Sequence, residues 1–108
     1  MENFKSIYES EIDSLTIYKE DGQNYASLHM GEVIIDLDKS MKVVAIEILN
    51  PDYIFKVPKR LFSEIEKASL AIQQRNNVLW ILIVLKFKSK ECPLKIPLSV
   101  PLNTPIPV

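Results

Sequence analysis

Two glycines in a chain of 108 residues leave no material for a glycine-rich phosphate loop, and no serine sits in a G-x-S-x-G elbow. A single cysteine, Cys92, excludes an internal disulfide. A single histidine, His29, satisfies neither a zinc-ligand spacing nor a base–nucleophile pair. His29 is therefore read as an ordinary strand or loop residue. Cys92 is read as an inert thiol, because a nucleophilic cysteine needs a base in reach and the chain offers one histidine. The longest apolar run, Val78 to Leu85, is far shorter than the ~20 residues a membrane helix needs. The opening Met1-Glu2-Asn3-Phe4-Lys5 lacks a basic segment followed by an apolar stretch, so no signal peptide is legible. These absences lead to the expectation of a soluble, cytoplasmic protein with no membrane span, no metal and no cofactor.

What remains is ordinary globular material, 47% hydrophobic and 25% charged, at a length that suits one domain spanning residues 1–108. The net charge of −1 is uninformative, but its distribution is uneven. Residues 1–55 hold 11 acidic and 4 basic side chains, a net −7, whereas residues 56–108 hold 3 acidic and 9 basic, a net +6. A basic C-terminal face for an acidic partner is one consequence. The other is that the two halves fold against each other with complementary charge. The second reading is adopted, because no basic cluster interleaves with aromatics as a nucleic-acid groove would.

The first half reads as short strands. Leu15-Thr16-Ile17-Tyr18 alternates, and the Asp21-Gly22 turn signal leads into Tyr25-Ala26-Ser27-Leu28-His29. Val33, Ile35 and Leu37 share one strand face, and Val44, Ile46 and Ile48 share another. Side chains in a strand repeat every two residues, so uniting these apolar sets demands pairings such as Ile35 with Ile46. The loop at Lys39-Ser40-Met41 then holds two or four residues unless a bulge intervenes. In this register Asp36 and Glu47 lie diagonally on the opposite, non-core face, roughly 7–8 Å apart between backbones.

The second half switches pattern at Asn50-Pro51-Asp52. Pro58 suits the first turn of a helix. Leu61, Phe62, Ile65, Ala68, Ser69 and Ile72 then follow helical spacing, with Leu70 off the stripe and Asn76-Asn77 as a left-handed stop. The spacing predicts a helix over 58–75. The β-branched and aromatic content of Val78 to Leu85 favours a strand apolar on both faces. Leu94, Ile96 and Leu98 extend the C-terminal strands over 78–100, and Pro97 restricts the last of them to an edge. Residues 101–108 form a proline-rich tail, whose prolines lack the P-x-x-P spacing read by proline-recognition domains. The expected fold class is α+β. A mostly antiparallel β-meander carries one helix packed on one face, followed by the buried apolar strand and a proline-rich edge strand.

Two blocks carry a family resemblance. The first is Tyr8-x-x-Glu11-x-Asp13-x-Leu15-x-Ile17. The second runs Gly31-x-Val33-Ile34-Ile35-Asp36-Leu37-Asp38 and continues as Val43-Val44-x-Ile46-Glu47-Ile48-Leu49. In order and spacing they resemble the prokaryotic domain of unknown function 2283 family over about residues 7–50. The resemblance implies a small β-rich module and supplies no established activity, cofactor or catalytic residue. Family members usually carry glycine at the position of Met41, so the hairpin is expected to turn differently here.

Three functions compete. Glu11, Asp13, Asp36 and Glu47 could bind a divalent cation in an enzyme, or they decorate a solvated sheet face that discourages edge pairing. Lys56, Lys59, Arg60 and the basic residues from Lys86 to Lys95 could serve a nucleic-acid-binding or antitoxin-like regulator. The reading preferred over both is a non-enzymatic protein-interaction module that acts as a homo-oligomer. Val78, Trp80, Leu82 and Val84 point to one side of their strand, and Leu79, Ile81, Ile83 and Leu85 to the other. One helix covers only one side. The second side needs a further layer, which the tail, an unidentified protein or a second copy could supply. A twofold homodimer is expected, with Trp80, Ile81, Leu82 and Ile83 as the interface candidates.

Overall fold

The structure is a computed structural model that describes residues 1–102 and 106–107, the last two as backbone alone. Its strands are β1 Glu2–Glu9, β2 Ser14–Tyr18, β3 Ala26–Met30, β4 Val33–Leu37 and β5 Val43–Leu49, followed by β6 Ile65–Arg75, β7 Val78–Phe87, β8 Leu94–Pro101 and β9 Ile106–Pro107. They join in the order β8-β7-β6-β1-β2-β5-β4-β3-β9, and every pairing is antiparallel. The sheet curls into a nearly closed barrel. Leu15, Ile17, Ile35 and Ile46 from its first half share one core with Leu70, Ile81, Ile83 and Leu85 from its second.

This architecture overturns the α+β expectation. Among the described residues helical structure is confined to a short α1, Pro51–Phe55, and a 3-10 helix, Lys59–Glu64. The helix expected over 58–75 is not formed. Pro58 does introduce a helical turn that buries Leu61 and Phe62, but the backbone becomes extended at Ile65. From there β6 gains hydrogen-bonding neighbours on both sides, β1 through Glu2↔Leu70 and β7 along its length. Asn76 and Asn77 both adopt positive φ, 50° and 60°, and join Arg75 to Val78 as a two-residue loop. Paired positive φ values are the requirement of a type I′ hairpin, whose twist suits flanking strands. The residues read as a helix stop are thus a hairpin turn. Leu70, off the helical stripe, is buried on the same face as Ala68, two residues away. That period-two pair marked the strand.

Within residues 7–50 the expected pairing is found: Ile35 lies opposite Ile46, and Asp36 and Glu47 are diagonal neighbours. The register shifts between Asp36 and Leu37, which is the bulge that relaxes the loop-length rule. Met41 takes φ 63°, the left-handed conformation that glycine adopts at least cost. The Asp38 Oδ1 accepts hydrogen bonds from the Ser40 and Lys42 backbone N–H groups at 2.8 and 3.0 Å and holds the turn in place of glycine's freedom.

β1 was not legible in the sequence. Pairing with β2 turns Phe4 and Tyr8 inward and Lys5, Ile7 and Glu9 outward, but Ser6 interrupts the inward apolar set. β1 joins the two halves of the sheet, because β2 borders one of its sides and β6 the other. β8 forms one edge of the sheet, as Pro97 requires, and β9 lies against β3 at the far edge. Residues 103–105 and 108 of the proline-rich tail lie outside the described residues.

Candidate interaction face and the cluster at Asp13

Alternation along β7 sorts its side chains. Leu79, Ile81, Ile83, Leu85 and Phe87 are in the core, whereas Val78, Trp80, Leu82 and Val84 face outward. Of the four interface candidates, Ile81 and Ile83 are therefore core residues, and Trp80 and Leu82 belong to the outer surface. Cross-strand register builds that surface in rows. Leu82 lies between Ala71 and Pro97, Trp80 between Gln73 and Ser99, and Val78 between Arg75 and Pro101. Trp80 is 47% exposed, a large aromatic at the middle of an apolar strip. Cations frame the strip. Lys67 lies opposite Lys86 and Lys95 opposite Val84 at one end, and Arg75 stands at the other.

The β8 edge carries its own signature. An edge-strand proline is tolerated where its missing N–H would face outward. Pro97 and Pro101 have the same parity, so both remove donors from the open side of β8. Lys95 stands on that same parity. Proline and lysine are the residues that discourage strand addition.

The carboxylates read from the sequence are distributed over two sides of the sheet. Asp36 and Glu47 lie on the outer face of β4 and β5, where the Ser27 hydroxyl donates to Asp36 Oδ1 at 2.7 Å and the Ser14 hydroxyl to Glu47 Oε1 at 3.4 Å. Glu11 is exposed in the β1–β2 turn. Asp13 closes that turn with φ 50° and engages the barrel end. The Tyr8 hydroxyl donates to Asp13 Oδ1 at 2.6 Å, Lys59 Nζ lies 3.0 Å from Oδ2, and the Asn50 N–H donates to the Asp13 carbonyl at 2.9 Å. The Tyr8 ring also packs at a tilt of 41° against Phe62, with centroids 5.4 Å apart. Asp13 thus ties the first hairpin to the 3-10 helix and to the start of α1.

The electrostatics follow from these contacts. The Tyr8 hydrogen bond, reinforced by Lys59, holds the Asp13 carboxyl below the usual carboxylate range. The same hydrogen bond, with burial and the Asp13 charge, pushes the Tyr8 hydroxyl up to about 12. Asp13 raises the pKa of Lys59 by hydrogen bonding and by its charge. The cluster is a satisfied structural tie, with a donor on each carboxylate oxygen. No three His, Cys, Asp or Glu side chains converge as a metal-ligand group among the described residues. His29 and Cys92 are both exposed, on β3 and in the β7–β8 loop. No local sequence signal marks the Tyr8–Asp13–Lys59 triad, because its members come from three separate elements.

The described residues form a mostly β structure, a barrel-like antiparallel sheet with an apolar strip on one outer face. Residues 5–50, which contain β2 to β5 and most of β1, match the family described as Protein of unknown function (DUF2283). The resemblance read from the two sequence blocks is shown over that stretch. An uncharacterized protein of Methanocaldococcus jannaschii is 40% identical over 52 residues, which is 48% of this chain and 45% of that relative. The chain thus spans less than half the length of the curated relative it matches. No solved structure gives a significant match. No helix among the described residues is long and apolar enough to cross a membrane.

Proposed function

We propose that this protein is a non-enzymatic interaction module that self-associates through the outer face of β6, β7 and β8. The observation that carries the reading is Trp80, half exposed among Leu82, Val78 and Pro97 on a face with no further layer of described residues. Tryptophan is enriched at binding hot spots because one side chain removes a large apolar area from water. Pro97 and Pro101 disfavour pairing at the β8 edge, so the contact is made face on. Three strands at ~4.8 Å spacing make the face only about 14 Å wide. Its area falls at the low end of specific interfaces, so Trp80 dominates the energy and the association is weak.

The alternatives have less support. Lys59 is held by Asp13 and Lys86 lies 3.5 Å from Glu66, which reduces the free charge available to a nucleic acid. The candidate metal carboxylates are divided between the outer face and the barrel end. Sedimentation velocity over ~1 to 300 µM, the range in which a low-area contact is populated, tests the reading. The expected result is concentration-dependent mass growth in the wild type that Trp80→Glu abolishes, with unchanged circular dichroism. A wild type that stays monomeric throughout would refute self-association.

A further inference from the structure

Charge complementarity decides which surface the Trp80 face meets. Among the described residues the acidic N-terminal half and the basic C-terminal half neutralise each other at one ion pair. Their inward faces are apolar, and their charged side chains are largely on outward faces or in loops. Among the salt bridges of the described residues, Lys59–Asp13 joins the halves; Lys5–Glu20, Lys19–Glu2 and Lys86–Glu66 stay within one. The expected intramolecular neutralisation is therefore largely unmet.

Twofold packing of the Trp80 face on itself brings like charges together. A twofold axis lying in the contact plane parallel to the strands sets the Lys67, Lys86 and Lys95 end against its own copy. An axis across the strands sets that end against Arg75. Glu66 offsets Lys86 at 3.5 Å, which leaves Lys67 and Lys95 as the net charge of that end. Both arrangements still oppose cation to cation, and like-charge juxtaposition across an interface is costly. The outer face of β1, β2, β5 and β4 offers the complement. Register aligns Ile7, Thr16, Glu47 and Ile34 in one row, with Asp36 and Lys5 at the two ends of the next and Glu9 beyond Ile7. Glu20, 3.8 Å away, offsets Lys5, so the face stays net acidic. Ile7 is 50% exposed, so this surface also combines apolar area with carboxylates.

We infer that the occupant of the Trp80 face is a second copy of this chain, docked head to tail through its carboxylate-bearing face. The two faces lie on different stretches of the curled sheet, so each copy keeps one of them free after docking. A heterologous contact of this kind propagates into rings or open chains instead of closing at two. The expected twofold homodimer is replaced by this arrangement, and the inference rests on the self-association reading above.

The test is complementation by sedimentation velocity. Trp80→Glu disables the apolar basic face and leaves the acidic face intact. Glu9→Lys with Glu47→Lys disables the acidic face and leaves Trp80 intact. Each variant alone is expected to lose association and run as a monomer, and an equimolar mixture of the two is expected to form a one-to-one complex. Raising salt weakens wild-type association if opposite charges meet. Lys86→Glu with Lys95→Glu provides a second disabled basic face should Trp80→Glu fail to fold. If the Glu9→Lys, Glu47→Lys variant self-associates as the wild type does, the head-to-tail mode is refuted and the Trp80 reading survives. If the wild type is monomeric at every concentration, both are refuted.

Discussion

Replacing Leu70 and Ile72 by alanine, one at a time, separates the sheet from the helix that the residue spacing suggests. Both lie on the inward parity of β6, yet they differ in burial. Leu70 is 1% exposed, flanked by β1 at Glu2 and by β7 at Ile83, whereas Ile72 lies past the start of β1 and is 38% exposed. Leu→Ala in a closed core site costs the transfer energy plus an unfilled cavity, about 3–4 kcal/mol here. Ile72→Ala loses only partly buried area and some strand preference, about 1 kcal/mol. On a helix over 58–75 the order reverses, because Ile72 sits on the apolar stripe and Leu70 does not. Urea denaturation followed by circular dichroism reads the difference. With a slope of about 1.5 kcal/mol/M, the midpoint falls by about 2–2.7 M for Leu70→Ala and by about 0.7 M for Ile72→Ala. A domain of this size has only about 5–15 kcal/mol of stability, so the first variant is expected to be conspicuously labile. An Ile72→Ala midpoint as low as that of Leu70→Ala would refute the strand assignment.

Met41→Gly is expected to raise stability by about 0.5–1 kcal/mol, because relief of a left-handed residue exceeds the added chain entropy; a lowered urea midpoint would contradict that account of the turn. The Asp13 cluster predicts two pH limbs. Asp13 has a folded pKa below its ordinary 3.8, so its contribution is present above that value and is lost as pH falls through the folded pKa. Tyr8 is raised from 10.0 to about 12, so its contribution is present below 10 and is lost as pH rises toward 12. Tyr8→Phe is expected to flatten both limbs in a series of urea midpoints against pH, and unchanged limbs would show that the hydrogen bond contributes nothing.

The meander over residues 7–50 was legible because its apolar sets repeat every two residues and one register alone puts them on a common face. That logic located Ile35 against Ile46, and the diagonal placement of Asp36 and Glu47 followed from it. Leu79, Ile81, Ile83 and Leu85 were separable from Trp80 and Leu82 on parity alone. Which set faces the core was not, because both are apolar and only the curl of the sheet assigns an inside.

The segment from Ile65 to Arg75 shows where local pattern stops deciding. Ile65, Ala68, Ser69 and Ile72 satisfy helical spacing, while Ala68 and Leu70 satisfy strand spacing, and short range offers no arbiter. The choice is made by partners distant in sequence: β1 supplies the neighbour for Ala68 to Leu70, and the Asn76-Asn77 turn returns β7 along the other side. The same dependence hides the candidate sites. Tyr8, Asp13 and Lys59 meet only because the 3-10 helix packs at the barrel end, and the row through Ala71, Leu82 and Pro97 exists only once three strands are in register. Residue order alone sets the strand faces of residues 7–50, the edge status of the proline-bearing strand and the charge division between halves. The strand state of Ile65 to Arg75 and the inward side of β7 follow from the folded sheet, because non-local pairing and burial set both.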